Sequence, residues 1–147
     1  MTRTTSLAVG PLRSLSLAML ALGSVSIAAA EDWPAFKPGQ WRFERTMEGT
    51  GPTPQKISKT ECVDPTADQK AQRDMLAKAG CRFSPLAQSG RTYRYTADCK
   101  MGKMTSTSAS VLEVESAEAF TITVESTVDG SKSREVLRAR RVGDCQP

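Results

Sequence analysis

Residues 119–130 read AFTITVESTVDG, and this stretch decides the fold class. Apolar side chains alternate along it with threonine and glutamate, which gives a period of two. The apolar positions are Phe120, Ile122, Val124 and Val128. Such alternation is typical of a β-strand with one face buried and the other in solvent. The closing Asp129-Gly130 is a hairpin-turn signal, so we expect a second antiparallel strand directly after it.

The same alternation recurs on both sides of this stretch. Residues 91–99 (RTYRYTADC) place Tyr93 and Tyr95 on one face, and residues 39–47 (GQWRFERTM) do the same for Trp41. Short Gly/Pro-containing turns separate these segments. We therefore expect a mainly β (α+β) fold, an antiparallel up-and-down sheet of about seven strands, curled or barrel-like, with one short helix and two disulfides. The predicted strands are residues 39–47, 55–62, 91–99, 103–115, 119–129 and 134–142, with one more starting at Cys81.

One segment has helical rather than strand periodicity. Asp64-Pro65 is a favourable start, with a capping carboxylate before a proline at the first helical position, and Gly80 is a favourable stop. We expect this short helix to pack its apolar side on the sheet and to turn Arg73 and the other charged residues outward. The apolar side is predicted to consist of Ala67, Ala71, Met75, Leu76 and Ala79.

The N-terminus has the three-part pattern of an export signal. Residues 1–30 contain two arginines, no acidic residue, an apolar run over residues 15–27 and a final Ala-Ala-Ala. That run is shorter than the ~20 apolar residues of a membrane span, and serine and glycine interrupt it. The sequence thus predicts that residues 1–30 are a cleaved secretory signal peptide and that residues 31–147 form a single disulfide-bonded β-rich domain. We expect a periplasmic or secreted protein without a stable membrane anchor.

Composition narrows the classes of function. The chain has 20 basic and 16 acidic residues, and removal of residues 1–30 leaves 18 basic residues. This near balance argues against a nucleic-acid partner. The absence of histidine excludes the usual catalytic triads and most zinc sites. Glu113, Glu115 and Glu125 alternate as on a solvated sheet, so we predict no catalytic, metal-binding or cofactor-binding residue and place an enzyme last.

The four cysteines predict two disulfides. Their successive spacings of 19, 18 and 46 residues lack the close CxxC pairs of metal sites. If residues 89–91 form a hairpin loop, Cys81 lies opposite Cys99, within disulfide reach. This favours Cys81 with Cys99 and Cys62 with Cys145. The rival pairing, Cys62 with Cys81 and Cys99 with Cys145, stays open.

Two non-enzymatic functions follow from these features. The leading one is a binding module for a small apolar ligand, since a small curled sheet can enclose one, with Trp41, Tyr95 and Phe120 as the candidate pocket. The alternative is an envelope protein-binding module, either a chaperone or an enzyme inhibitor. Its candidate partner patch is Trp33 and Phe36, in the proline-containing leader before the first strand.

Several short motifs together resemble one known family. The motifs are PGQW at residues 38–41, CVDP at 62–65, the Cys81 to Cys99 step around Ser89-Gly90, and RRVGDC at 140–145. In these features the chain resembles the bacterial family catalogued as domain of unknown function 3617, over essentially all of residues 31–147. The resemblance implies an exported protein with a coherent fold. It supplies no activity, cofactor or catalytic residue.

Overall fold

The computed structural model describes residues 33–146, and the predicted signal peptide lies outside this range. Within it the chain forms eight strands and one helix. In chain order these are β1 (Gly39–Glu48), β2 (Gln55–Val63), α1 (Pro65–Lys78), β3 (Cys81–Phe83), β4 (Ala87–Ser89), β5 (Thr92–Met101), β6 (Met104–Ser116), β7 (Ala119–Val128) and β8 (Ser131–Gly143).

All the strands lie in one antiparallel sheet. The order is β2-β1-β8-β7-β6-β5-β3, and β4 also pairs with β5. The predicted mainly β fold with one helix is thereby confirmed. The sheet does not close, so the barrel-like form of the expectation is not supported, and the strands number eight instead of about seven. β2 leads into α1, and β2 and β3 lie at opposite edges of the described sheet.

The eighth strand arises from a break in the outermost strand. Cys81 pairs with Cys99 as the hairpin predicts, but Ala87 pairs with Arg94, one residue out of that register. Pro85 lies in the interruption and has no N–H to donate to a ladder. The predicted single strand is therefore divided into β3 and β4.

β8 does not lie at an edge of the sheet. It pairs with β1 on one side and with β7 on the other. Its neighbour β1 carries Trp41, which is fully buried, and β7 carries Phe120, which is 2% exposed. Burial of such a side chain contributes about 1.5–3 kcal/mol, so the centre of the core sits over these two strands.

Two disulfides close the fold. One joins Cys81 to Cys99, with Cα atoms 3.9 Å apart, and the other joins Cys62 to Cys145, with Cα atoms 5.6 Å apart. This is the pairing that the hairpin register favours. The second bridge links the end of β2 to the segment after β8, across the start of β1.

Helix α1 presents a different face to the sheet from the one that its apolar residues predict. Met75 is 61% exposed, and Ala67 and Ala71 are also exposed. Leu76 is half-buried as predicted, but it shares its side of the helix with Gln69 and Arg73, which recur at helical spacing. The prediction that Arg73 turns outward is therefore wrong. Hydrogen bonds from Thr66 and Arg73 fix this orientation in the first and second halves of the helix. They outweigh the weak apolar periodicity of α1.

Candidate functional site

The N-terminal end of α1 is fixed to the leader. The Asp64 carboxylate caps the helix by accepting hydrogen bonds from the backbone N–H groups of Thr66 and Ala67. The Thr66 hydroxyl donates to the Pro34 carbonyl at 3.0 Å and accepts from the Phe36 N–H at 2.8 Å. The first turn of the helix is therefore tied to residues about thirty positions earlier in the chain.

The C-terminal half of α1 is fixed by Arg73. Its guanidinium lies 4.5 Å from the ring centroid of Phe83, with Tyr95 at 5.7 Å and Trp33 at 5.9 Å. It also donates to the Ser84 carbonyl at 3.0 Å. Cation–π contacts within about 6 Å are attractive. These contacts attach the helix to the β3–β5 side of the sheet.

A cleft of about 360 Å³ lies between the helix and the sheet. Its apolar floor comes from four strand residues, Phe43, Phe120, Ile122 and Leu137, and Pro65 and Gln69 line it from the helix. The volume lies at the lower end of the range for small-molecule sites, about 300–1,000 Å³. An apolar floor with a few polar groups above it is the arrangement such sites usually have.

A smaller recess of about 210 Å³ continues the cleft beneath the second half of the helix. Gln69, Ile122 and Leu137 line both volumes, and Tyr95 and Ser110 belong to the recess. The two volumes therefore adjoin. We refer to them together as the helix–sheet cleft.

Two ion pairs lie beside the helix–sheet cleft. Arg45 Nε lies 3.0 Å from Glu135 Oε1, and Lys59 Nζ lies 2.8 Å from Glu61 Oε2. The Lys59 ammonium also lies 5.9 Å from the ring centroid of Phe43. Asp68 also lines the cleft and Arg73 lines the recess, so the lining carries three cations and three carboxylates and has no net charge. Partly exposed ion pairs of this kind contribute only about 0–1 kcal/mol to stability.

The residues predicted for a ligand pocket lie in different places. Phe120 is on the floor of the larger part of the cleft, and Tyr95 lines the recess. Trp41 is fully buried beside them, and its indole N–H donates to the Lys37 carbonyl at 3.0 Å. Trp41 therefore supports the floor from within the core and does not line the cleft.

Sequence reasoning missed the five residues that line both parts of the cleft, which are Arg45, Gln69, Gln72, Ile122 and Leu137. Ile122 and Leu137 follow the same alternation as Phe120, so the period of two could have identified them. Gln69 is polar, so the apolar periodicity of the helix could not identify it. Its spacing of four residues from Pro65 and from Arg73, along one side of the helix, was the available indication.

The residues predicted for a partner patch pack against the domain. Phe36 is 6% exposed, and its ring centroid lies 4.4 Å from that of Phe120. Trp33 is half-buried and contacts the edge of Tyr95, with ring centroids 5.6 Å apart. Since Phe36 is buried, it offers no surface to a partner in this structure, and both rings instead hold the leader onto the sheet.

A second depression lies outside the helix–sheet cleft. It has a volume of about 810 Å³ and is lined mainly by hydroxyl and charged side chains, including Asp98, Glu125 and Arg134. Ala109 contributes the one apolar side chain to its lining. Because it lacks an apolar floor, this depression is a poorer candidate for an apolar ligand than the cleft.

Residues 33–146 contain neither a candidate metal centre nor a candidate membrane-spanning helix. No three His, Cys, Asp or Glu side chains in that range come together in a way that could hold a metal ion. No helix in the same range has the length and apolar character needed to cross a membrane. The two disulfides indicate an oxidising compartment.

Two of the motifs that carried the family resemblance meet in space at a structural contact. Arg141, with its side chain 9% exposed, donates from Nε to the Pro38 carbonyl at 3.0 Å and also pairs with Asp144 and Glu118. Its guanidinium passes directly over Gly39, where a Cβ would also lie 2.6 Å from the Gly143 carbonyl. The PGQW and RRVGDC motifs therefore fix the start of β1 to the end of β8.

The fold and the site together define a disulfide-bonded domain in which an open antiparallel sheet carries one helix across its face above a cleft. The chain belongs to the family described as "Protein of unknown function (DUF3617)", whose model matches residues 36–145. The resemblance drawn from the motifs is thus confirmed. No curated protein and no solved structure gives a significant match to the chain.

Proposed function

We propose that this protein is a non-enzymatic binding module that holds a small, mostly apolar ligand in the helix–sheet cleft. The observation that carries the proposal is the cleft of about 360 Å³ with Phe43, Phe120, Ile122 and Leu137 on its floor. Transfer of apolar surface from water onto such a floor contributes about 25 cal/mol per Å². Ile57 on β2, which is 51% exposed, adds a further apolar side chain to the lining.

A curved sheet is part of this proposal. Seven strand positions in the sheet order span six inter-strand steps, which would measure about 29 Å if the sheet were flat. Helix α1 has 14 residues and a length of about 21 Å, and it connects the two edge strands. A sheet that curves around the helix shortens the distance between its edges and encloses the cleft on the helix side.

The proposed site of action lies outside the cytoplasm. Disulfides persist in oxidising compartments, and this chain has two. The export signal predicted for residues 1–30 would deliver the domain to the periplasm or the exterior. There a domain with a small apolar cleft could take up a poorly soluble molecule without performing chemistry on it.

The test uses N-phenyl-1-naphthylamine, a small uncharged dye that fluoresces strongly in apolar surroundings. We expect saturable, one-site binding to the purified chain with both disulfides formed. The variant Leu137→Trp fills the floor shared by both parts of the cleft and should weaken binding at least several-fold. The matched control Val128→Trp adds the same ring at a position that is 36% exposed and outside the cleft, and it should bind like the native chain.

Two results would contradict the proposal. One is the absence of saturable dye binding to the native chain. The other is equal weakening by Leu137→Trp and Val128→Trp, which would show that the dye does not enter the cleft. Far-ultraviolet circular dichroism of both variants checks that each retains the sheet.

A further inference from the structure

Gln69 places an uncompensated polar group in the middle of the helix–sheet cleft. Both side-chain atoms, Oε1 and Nε2, are buried, and neither has a hydrogen-bond partner among residues 33–146. Gln69 lines the larger part of the cleft as well as the recess. The amide therefore lies where the two volumes meet, directly above the apolar floor.

A buried amide without a partner is unusual and unfavourable. Most buried side-chain polar atoms in folded proteins are hydrogen-bonded, and a buried group left unsatisfied keeps its full desolvation penalty. The glutamine amide offers two donors and one acceptor. A ligand group that both donates and accepts would satisfy it, whereas a purely apolar ligand would leave the penalty in place.

The charges around the amide argue for an uncharged ligand group. Arg45 is paired with Glu135, and Lys59 with Glu61. Arg73, in the recess, lies over the Phe83 ring and bonds to the Ser84 carbonyl, and Asp68 is exposed. An ionic head group would have to compete for one of these charges or enter the cleft without a counter-charge, and the desolvation of an ion is far costlier than that of a neutral polar group. A hydroxyl or an amide avoids this cost.

We propose that Gln69 determines the specificity of the cleft, which selects a small amphiphile with an apolar chain and one uncharged group that both donates and accepts hydrogen bonds. The inference rests on the binding function proposed above. The apolar chain lies along Phe120 and Ile122, and the polar group bonds to the amide. Ser110, which is 4% exposed and lines the recess, supplies further polar surface beside it.

The test compares three ligands with the same alkyl chain by their displacement of N-phenyl-1-naphthylamine. Octanamide both donates and accepts, N,N-dimethyloctanamide only accepts, and octanoate is charged. With the native chain we expect octanamide to displace the dye at about tenfold lower concentration than the other two. This is the factor that about one net hydrogen bond provides.

Variants locate the origin of that preference. Gln69→Met has nearly the same shape but cannot form the hydrogen bonds, and it should bind the dye while reducing the preference to within about twofold. Gln69→Leu serves as a second variant. The matched control is Gln72→Leu, since Gln72 also lines both parts of the cleft from the same helix but is exposed. It should keep the preference.

Stability separates a recognition role from a structural one. Without ligand, Gln69→Met should leave the urea midpoint unchanged or raise it, because it removes an unsatisfied buried amide. A lower midpoint would identify the amide as structural and overturn the inference.

Outcomes of the displacement assay distinguish the two proposals. Dye binding with equal displacement by all three ligands, or with a preference that Gln69→Met retains, overturns the role of Gln69 and leaves the binding function in place. Failure of the dye to bind overturns both.

Discussion

The replacement Arg73→Ala should detach the second half of α1 from the sheet, and its cost can be worked from the contacts. The guanidinium lies 4.5 Å from the Phe83 centroid and donates to the Ser84 carbonyl at 3.0 Å. The stacked contact contributes about 1–2 kcal/mol, and a hydrogen bond from a charged donor about 1.5–3 kcal/mol. Since the two share one side chain and are not additive, we expect a loss of about 2–4 kcal/mol.

Urea unfolding monitored by tryptophan fluorescence measures this loss. Trp33 lies 5.9 Å from the guanidinium, so one of the two tryptophans reports directly on the contact. With a slope of about 2 kcal/mol per molar urea, the midpoint should fall by about 1–2 M. Arg73→Lys keeps the charge but lacks the planar group and should recover less than half of the loss.

The matched control is Lys70→Ala, an exposed cation on the same helix, which should change stability by less than about 0.5 kcal/mol. If Arg73→Ala costs no more than this control, the helix is not fixed by Arg73. The position of α1 above the cleft would then have to depend on other contacts.

Two further predictions concern the closure of the fold. Replacement of both cysteines of the Cys62–Cys145 bridge by alanine should lower the free energy of unfolding by about 4.5 kcal/mol, against about 3 kcal/mol for Cys81–Cys99. The difference arises because the two bridges close loops with sequence separations of 83 and 18 residues. A larger loss for Cys81–Cys99 in thermal unfolding would contradict this chain-entropy explanation. Gly39→Ala should destabilise by about 2 kcal/mol or more, since its Cβ would lie 2.6 Å from the Gly143 carbonyl at a φ of +154°. Gly51→Ala, with no heavy atom within 4 Å of its Cβ, is the control and should have little effect.

Alternation was sufficient to predict most of the sheet. Residues 92–99 and 119–128 lie in β5 and β7 with the predicted faces, because only one register of an alternating strand buries all its apolar side chains. The break between β3 and β4 was also visible in the sequence. Pro85 is a known strand breaker, but the symmetric spacing of Cys81 and Cys99 around Gly90 favoured an uninterrupted strand.

The orientation of α1 could not be predicted from its own residues. Its apolar positions, Ala67 and Ala71 among them, point to the face that is in fact exposed. The orientation is set by Thr66 and by Arg73, which bond to groups at Pro34 and Ser84. Such contacts are distant in the sequence, and neither has a local signature.

The cleft follows from that orientation. A helix that presents short apolar side chains to a sheet packs closely against it, whereas one that presents glutamine and arginine is held away from it. The alternation in the sequence could predict the floor of the cleft, which consists of Phe120 and the apolar residues that alternate with it. The helix side of the cleft, with Gln69 at its centre, depends on the orientation of α1, which the sequence did not predict.

The most direct test of the ligand site is to locate a bound ligand by photocrosslinking. An octanamide derivative with a diazirine on its alkyl chain, bound to the native chain and irradiated, can be mapped by mass spectrometry of the peptides. We expect adducts on α1 near Gln69 and Gln72 and on the floor at Ile122 and Leu137, and excess octanamide should suppress them. Adducts confined to the polar depression around Glu125, or insensitive to competition, would contradict the proposed ligand site.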